Sequence, residues 1–187
     1  MSLFLVSGLG RCGTSLLMQM LAAGGAPICP GINWPDFEHD ANAGEALLPD
    51  DAAGVLKWLD PQRFEPPVFH RAVFLTRDSK QQAKSQMKML SAWAGAAPVR
   101  ADVRRMARLL ERDKEPALAA LRKRGTFILN DSFEELITNP AGVLAGVTRC
   151  FGMSIDHAKA LACVRKRSSD CLPYMLEERI LLEGPQA

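Results

Sequence analysis

The chain has 187 residues, 48% of them hydrophobic, and a formal net charge of +2. That length holds one domain, residues 1–187, with a full core and is short for two, and the near balance of charge predicts neither a nucleic-acid partner nor a membrane surface, although a slight cationic excess suits a polyanionic cofactor. No apolar run reaches the length of a membrane span, and the apolar N-terminus lacks a basic segment ahead of it and runs directly into glycines, so a cytoplasmic protein without a signal peptide is expected.

Leu3 to Val6 is a short continuous apolar run, the pattern of a strand covered on both faces. Ser7 to Gly13 is a turn with three glycines, and Leu16, Leu17, Met20 and Leu21 then fall at helical spacing before Gly24-Gly25 provides a stop. A turn of this kind gathers backbone N–H groups and the positive end of a helix around one point, which attracts an anion. Gly8, Gly13 and Ser15 fit the nucleotide-binding spacing G-x-x-x-x-G-K-[ST], but Thr14 stands where the lysine should be, and Arg11 is the only cation in the loop. Ordinary ATP or GTP chemistry loses the charge that reaches the outer phosphates. An ordinary glycine-rich turn between strand and helix is the alternative.

Ala26 to Pro67 holds seven of the twelve prolines, at 27, 30, 35, 49, 61, 66 and 67, and reads as mostly irregular chain, of a length that is usually functional or disordered. It carries Asp36, Glu38, His39 and Asp40 with Trp34 and Phe37 interleaved, and Asp51 to Leu59 is expected as a short helix. Val68 to Thr76 is a second strand, rich in β-branched and aromatic residues. A polar helix follows, capped by Asp78 or Ser79, with Ala83, Met87 and Leu90 as its buried stripe. Arg77 at the end of this strand offers a fork of donors, and Ser85, eight residues later, offers a hydroxyl two turns into the helix. The plainer alternative pairs Arg77 with Asp78 or Glu134 on the surface. Asp78 and Asp131, each after an apolar run, also sit where a phosphotransferase would hold Mg²⁺.

Trp93 to Pro98 reads as a break. Arg100 to Glu111 is an amphipathic helix with Arg104 and Arg108 one turn apart on its polar side, and Pro116 opens a further helix that ends at Arg122-Lys123-Arg124-Gly125. Thr126 to Leu129 is the third strand, and Ser132 with Glu135 forms a capping box. Helices follow from Asn139-Pro140 to Phe151-Gly152 and over Ser154 to Val164, leading to the basic run Arg165 to Ser169. The tail from Leu172 is a candidate either for docking as a helix or for homodimer contacts. Cys12, Cys29, Cys150, Cys163 and Cys171 are scattered, without a CxxC pair or a histidine at ligand spacing, so reduced thiols and no metal site are expected.

The run GLGRCGTSLL resembles the 5′-phosphosulfate loop of PAPS-dependent sulfotransferases, with Arg11, Gly13, Thr14 and Ser15 on pattern and Cys12 in place of a small hydroxyl residue. RDSKQQAKS, from Arg77 to Ser85, is similar to the family's 3′-phosphate motif, with Ser79 replacing its proline, and FEELITNPAGVLAGVTRCFG, from Phe133, looks like a later family segment. The resemblance implies an α/β fold: a P-loop-type parallel sheet of three to five strands flanked by helices. It implies PAPS as cofactor and PAP as product, bound by Gly10, Arg11, Cys12, Gly13, Thr14, Ser15, Arg77 and Ser85, with Arg165 and Arg167 covering the 3′-phosphate. It also implies a catalytic Arg11 and a base from the proline-rich region, taken as acceptor loop, where Glu38, His39 and Glu45 are candidates. The family's run at that place is reduced here to Asn42-Ala43-Gly44-Glu45. The acceptor would be a small molecule, carbohydrate or peptide. A Mg²⁺-dependent kinase and a non-catalytic PAP-binding module are the other two readings.

Overall fold

The structure is a computed structural model that describes residues 2–29, 52–94 and 100–164. Four parallel strands, β1 (Leu3–Gly8), β2 (Gly54–Leu59), β3 (Phe69–Thr76) and β4 (Gly125–Ser132), lie in the order β2-β1-β3-β4. Among the described residues six helices flank the sheet: α1 (Thr14–Ala23), α2 (Ser79–Ala94), α3 (Arg100–Arg122), α4 (Phe133–Thr138), α5 (Pro140–Phe151) and α6 (His157–Ala162). This is the expected α/β architecture, a parallel sheet between helical layers.

Side-chain alternation along the strands divides the core in two. Val6, Val73 and Leu75 face α1, α5 and α6, whose Leu17, Leu21, Leu144 and Val147 are fully or almost fully buried. Leu5, Ala72 and Phe74 face α2 and α3 through Ala83, Leu110, Ala117 and Leu121. The chain passes from β1 through α1 to β2 on one side, then returns across β1 to β3 on the other. The connections after β1 and β3 therefore depart to opposite faces of the sheet, which opens a crevice beyond their C-terminal ends.

Three expectations are corrected. The helix expected over Asp51–Leu59 is instead strand β2, in parallel register with β1 from Leu3↔Gly54 to Gly8↔Leu59. Val55, Leu56, Lys57 and Trp58 are all buried there, so both sides of the segment are covered, which suits a strand and not an amphipathic helix. The break expected between Glu111 and Pro116 is absent: α3 is one helix of 23 residues with Pro116 inside it. An interior proline costs about 3 kcal/mol, but Leu110, Leu118 and Leu121 on the continuous buried stripe each return roughly 1.5–3 kcal/mol. The capping box is half formed. Ser132 Oγ accepts from the Glu135 N–H at 3.0 Å, whereas the Glu135 carboxylate accepts from Asn139 Nδ2 and the Ser132 N–H donates to Asp131 Oδ1.

The last helix is shorter than expected and begins at His157, capped by Asp156, whose Oδ1 accepts from the Lys159 N–H. In α2 the cap is Asp78, and of the expected stripe Ala83 is buried while Leu90 is exposed. Glu38, His39, Glu45, Arg165, Arg167 and the tail from Leu172 lie outside the described residues. Among the described residues no helix is long and apolar enough to cross a membrane.

Candidate functional site

The turn after β1 is built on two residues that need unusual backbone. Gly13, the N-cap of α1, has φ 98°, and a Cβ there would stand 2.5 Å from the Phe133 ring. Only glycine satisfies both the left-handed backbone and the close approach. Arg11, at φ 69°, holds the same sparsely populated region with a side chain attached, the sort of strain that persists where the surroundings fix it. The α1 N-terminus receives no side-chain cap and has no acidic residue in its first turn. The Thr14 N–H meets the buried Cys12 sulfur, so no carboxylate or hydroxyl oxygen of a capping residue answers the positive end of the helix.

The surroundings of the turn are cationic. Arg77, at the end of β3, donates from Nη1 to the Arg11 carbonyl at 3.2 Å and lies over the Phe133 ring with its Cζ 4.3 Å from the centroid. Arg11 Nε reaches Ser85 Oγ at 3.5 Å, a long contact. The two sequence motifs, 66 and 74 residues apart along these contacts, are thereby joined. Glu134 accepts from the Asp78 N–H at 3.2 Å, and the Asp78 carboxylate caps α2.

A third cation comes from β2 and was not anticipated. Lys57 is 4% exposed, and its Nζ donates to Ser15 Oγ at 2.8 Å. Lysine is almost never buried to this degree unless its charge is engaged. A cation inside the apolar run Val55-Leu56-Lys57-Trp58-Leu59 was the available signal, hidden by reading the segment as a helix. Structurally, Lys57 brings to the first turn of α1 the amine that Thr14 does not supply.

Two more unanticipated residues hold the turn from either side. Gln82 on α2 is 1% exposed and donates from Nε2 to both the Leu9 and Gly10 carbonyls, at 3.1 and 2.8 Å. Asp60, just past β2, has φ 50°, donates its N–H to the Gly8 carbonyl and accepts from the Gly10 N–H. Burial pushes the Asp60 carboxyl up, against the opposing pulls of Arg63 and the Gly10 N–H. The spacing Gln82–Ser85 puts both side chains on the inner face of one helix, so α2 grips the turn while displaying its serine to Arg11.

Of the remaining expected residues, Thr14 is buried, Ser15 is half-buried and bound by Lys57, and Gly10 is half-buried beside Gln86. Cys12 is fully buried in the apolar layer with Val6 and Leu17, and burial pushes its thiol up to about 12. Its side chain packs beneath the turn as a small hydrophobe, which leaves only its backbone for an anion.

No protein-family model matches the chain, and no curated protein matches it. Among solved structures it is similar in fold to retinol dehydratase, determined in complex with androsterone and inactive cofactor PAP, with a TM-score of 0.52 at 14% sequence identity. The similarity covers 87% of this chain and 63% of that one, so the chain spans less than two thirds of the neighbour's length. The shared feature is the fold.

Proposed function

We propose that this chain transfers a sulfuryl group from PAPS to a hydroxyl or amine of a small-molecule, carbohydrate or peptide acceptor. The observation that carries the reading is the gathering of Arg11 from the turn after β1, Lys57 from within β2 and Arg77 from the end of β3 around the start of α1, which has no side-chain cap. Such a donor set fits a nucleotide with an anionic group at each end. Arg11, Lys57, Ser15 and the N–H groups of residues 13–15 would hold the 5′ end, and Arg77 with Ser85 the 3′-phosphate. When bound, PAPS supplies a sulfuryl group activated by its linkage to phosphate.

The work left to the protein is electrostatic. Lys57 is held by Ser15 before reaction and Arg11 lies 3.5 Å from the Ser85 hydroxyl, so donors beside the departing phosphate need little rearrangement as charge develops there. A base takes the acceptor's proton, a contribution of about 10²–10⁴-fold. Glu38, His39 and Glu45 are proposed for this role, and Asp60, a carboxylate beside the turn whose affinity for protons is raised by burial, joins them. The PAP and androsterone held by the fold neighbour support a nucleotide site with a small-molecule acceptor beside it. The kinase reading is weakened because Asp78 and Asp131 spend their carboxylates on backbone N–H groups.

Calorimetric titration with PAP and, separately, with ATP plus Mg²⁺ tests the proposal. Binding of PAP that is lost in Arg77→Ala is the expected result. Binding of ATP with Mg²⁺ and no response to PAP overturns it, and PAP binding without turnover across an acceptor screen leaves the non-catalytic module.

A further inference from the structure

On the outer side of α2, away from Gln82 and Ser85, the helix forms a groove with α3 of about 1030 Å³. Lys80 and Lys84 line one wall, and Arg100, Arg104 and Arg108 line the other. All five are exposed, and among the described residues none has an ion-pair partner. Glu111, the one carboxylate of the lining, is already engaged by Lys114 at 2.8 Å and by the Ser79 hydroxyl.

This is not the pattern of a merely solvated helix face, which the other half of α3 shows. There the charges are matched: Asp113 with Arg112 and Arg63, Glu111 with Lys114, Glu115 with Arg122. In the groove the spacing is reversed in sense. Arg100–Arg104, Arg104–Arg108 and Lys80–Lys84 are three like-charge pairs at i, i+4, each of which destabilises its own helix. The fold thus carries a concentrated positive strip that an external anion would relieve.

The geometry narrows the anion. Arg100 to Arg108 spans about 12 Å along α3 and Lys80 to Lys84 about 6 Å along α2, so the complement is a linear molecule with repeated negative groups and not a single phosphate. Among the described lining residues none is aromatic, so there is no platform on which bases could stack. The apolar residues of the described lining are small, Ala101, Val103 and Ala107, so none is a large hydrophobic anchor of the kind that dominates protein interfaces. We propose that the α2–α3 groove binds an anionic polysaccharide, a sugar chain bearing sulfate or carboxylate groups along its length. The proposal is independent of the reading of the α1 site.

Isothermal titration of the full chain at physiological ionic strength with a heparin-derived decasaccharide, and with a single-stranded DNA decamer, tests this. Expected are binding of the sugar in preference to the DNA, and weakening by about tenfold in Arg104→Glu/Arg108→Glu with an unchanged melting temperature. Lys80→Glu/Lys84→Glu, on the facing wall, should weaken it comparably and serves if the first variant folds poorly. Absence of sugar binding, equal or tighter binding of the DNA, or binding that survives these charge reversals but is lost in Arg77→Ala would each overturn the proposal. The last of these would assign the sugar to the turn after β1.

Discussion

Strands β1 and β4 each deliver the chain to a helix at the same edge of the sheet, and the two helix starts are built in opposite ways. At β4 the start of α4 is self-sufficient: Ser132 caps it, and Glu134 and Glu135 occupy its first turn, so the positive helix end is answered from within. At β1 the start of α1 has a glycine cap without a side chain, no acid in its first turn, and Arg11, Lys57 and Arg77 around it. The difference separates a junction answered by its own side chains from one surrounded by cations, which on the proposed reading takes a ligand. Sulfur or phosphorus oxyanions are the natural complement of the second and have nothing to gain at the first.

The largest way to break this contrast is to give the α1 start a side chain. Gly13→Val places a β-branched residue at φ 98° and drives its Cβ into Phe133, so strain and overpacking together should cost roughly 3–5 kcal/mol. A melting temperature lowered by about 10 °C or more, with loss of PAP binding, is expected by differential scanning calorimetry and titration. An unchanged melting temperature would show that the turn relaxes around the added methyls.

Next in size is removal of the buried amine. Lys57→Met keeps the volume of the side chain but deletes the charge-assisted bond to Ser15, and PAP affinity should fall by about 10- to 100-fold. Stability without ligand should hold or rise, since burying an ammonium group costs more than burying a thioether. Lost stability with unaltered affinity would make Lys57 a strut of the sheet and remove it from the site.

How much of this contrast was legible in the sequence depended on whether a signal was local. Arg11, Gly13 and Ser15 lie within one turn, and Arg77 and Ser85 are related by a strand end and two turns of helix, so spacing was legible within each group, whereas joining the two groups rested on the family resemblance. Lys57 and Asp60 were not legible, because their relation to the turn arises from the β1–β2 pairing across more than forty residues, and Asp50-Asp51-Ala52-Ala53 ahead of them looks like a helix start. Gln82 carries no sequence signal, because glutamine on a polar helix usually faces water; only the fold shows it donating to two carbonyls of the turn. Pro116 misled in the other direction, since the apolar stripe on either side of it outweighs the lost hydrogen bond.

Cys12 sharpens the same comparison from beneath the turn. Folded, its thiol keeps a proton to about 12, whereas unfolded it releases the proton near its ordinary value of 9.0. Its contribution to stability is therefore complete below pH 9 and is lost as pH rises from there toward 12, with a slope of up to about 1.4 kcal/mol per pH unit. Denaturant melts of the native chain and of Cys12→Ala between pH 8 and 11 should diverge above pH 9, the variant lacking this part of the fall. Parallel curves would mean that the thiol is solvated and faces the turn.

The smallest effect belongs to the closed junction. Ser132→Ala deletes the cap of α4 and should cost about 1 kcal/mol, read as a melting temperature lower by about 2–4 °C, with PAP affinity unchanged within about twofold. The second half of that expectation is the demanding one, because Phe133 directly follows the cap and supports both Gly13 and the Arg77 guanidinium. If the α4 start frays without its hydroxyl, the Phe133 ring moves and PAP affinity falls with it. Register with β3 opposes this: β4 is paired through Thr76↔Ser132, and Thr76 Oγ1 donates to the Asp131 carbonyl at 3.1 Å, so the ring is anchored by the strand before the helix begins. A large loss of affinity in Ser132→Ala would therefore show that the open junction is held in shape by the closed one.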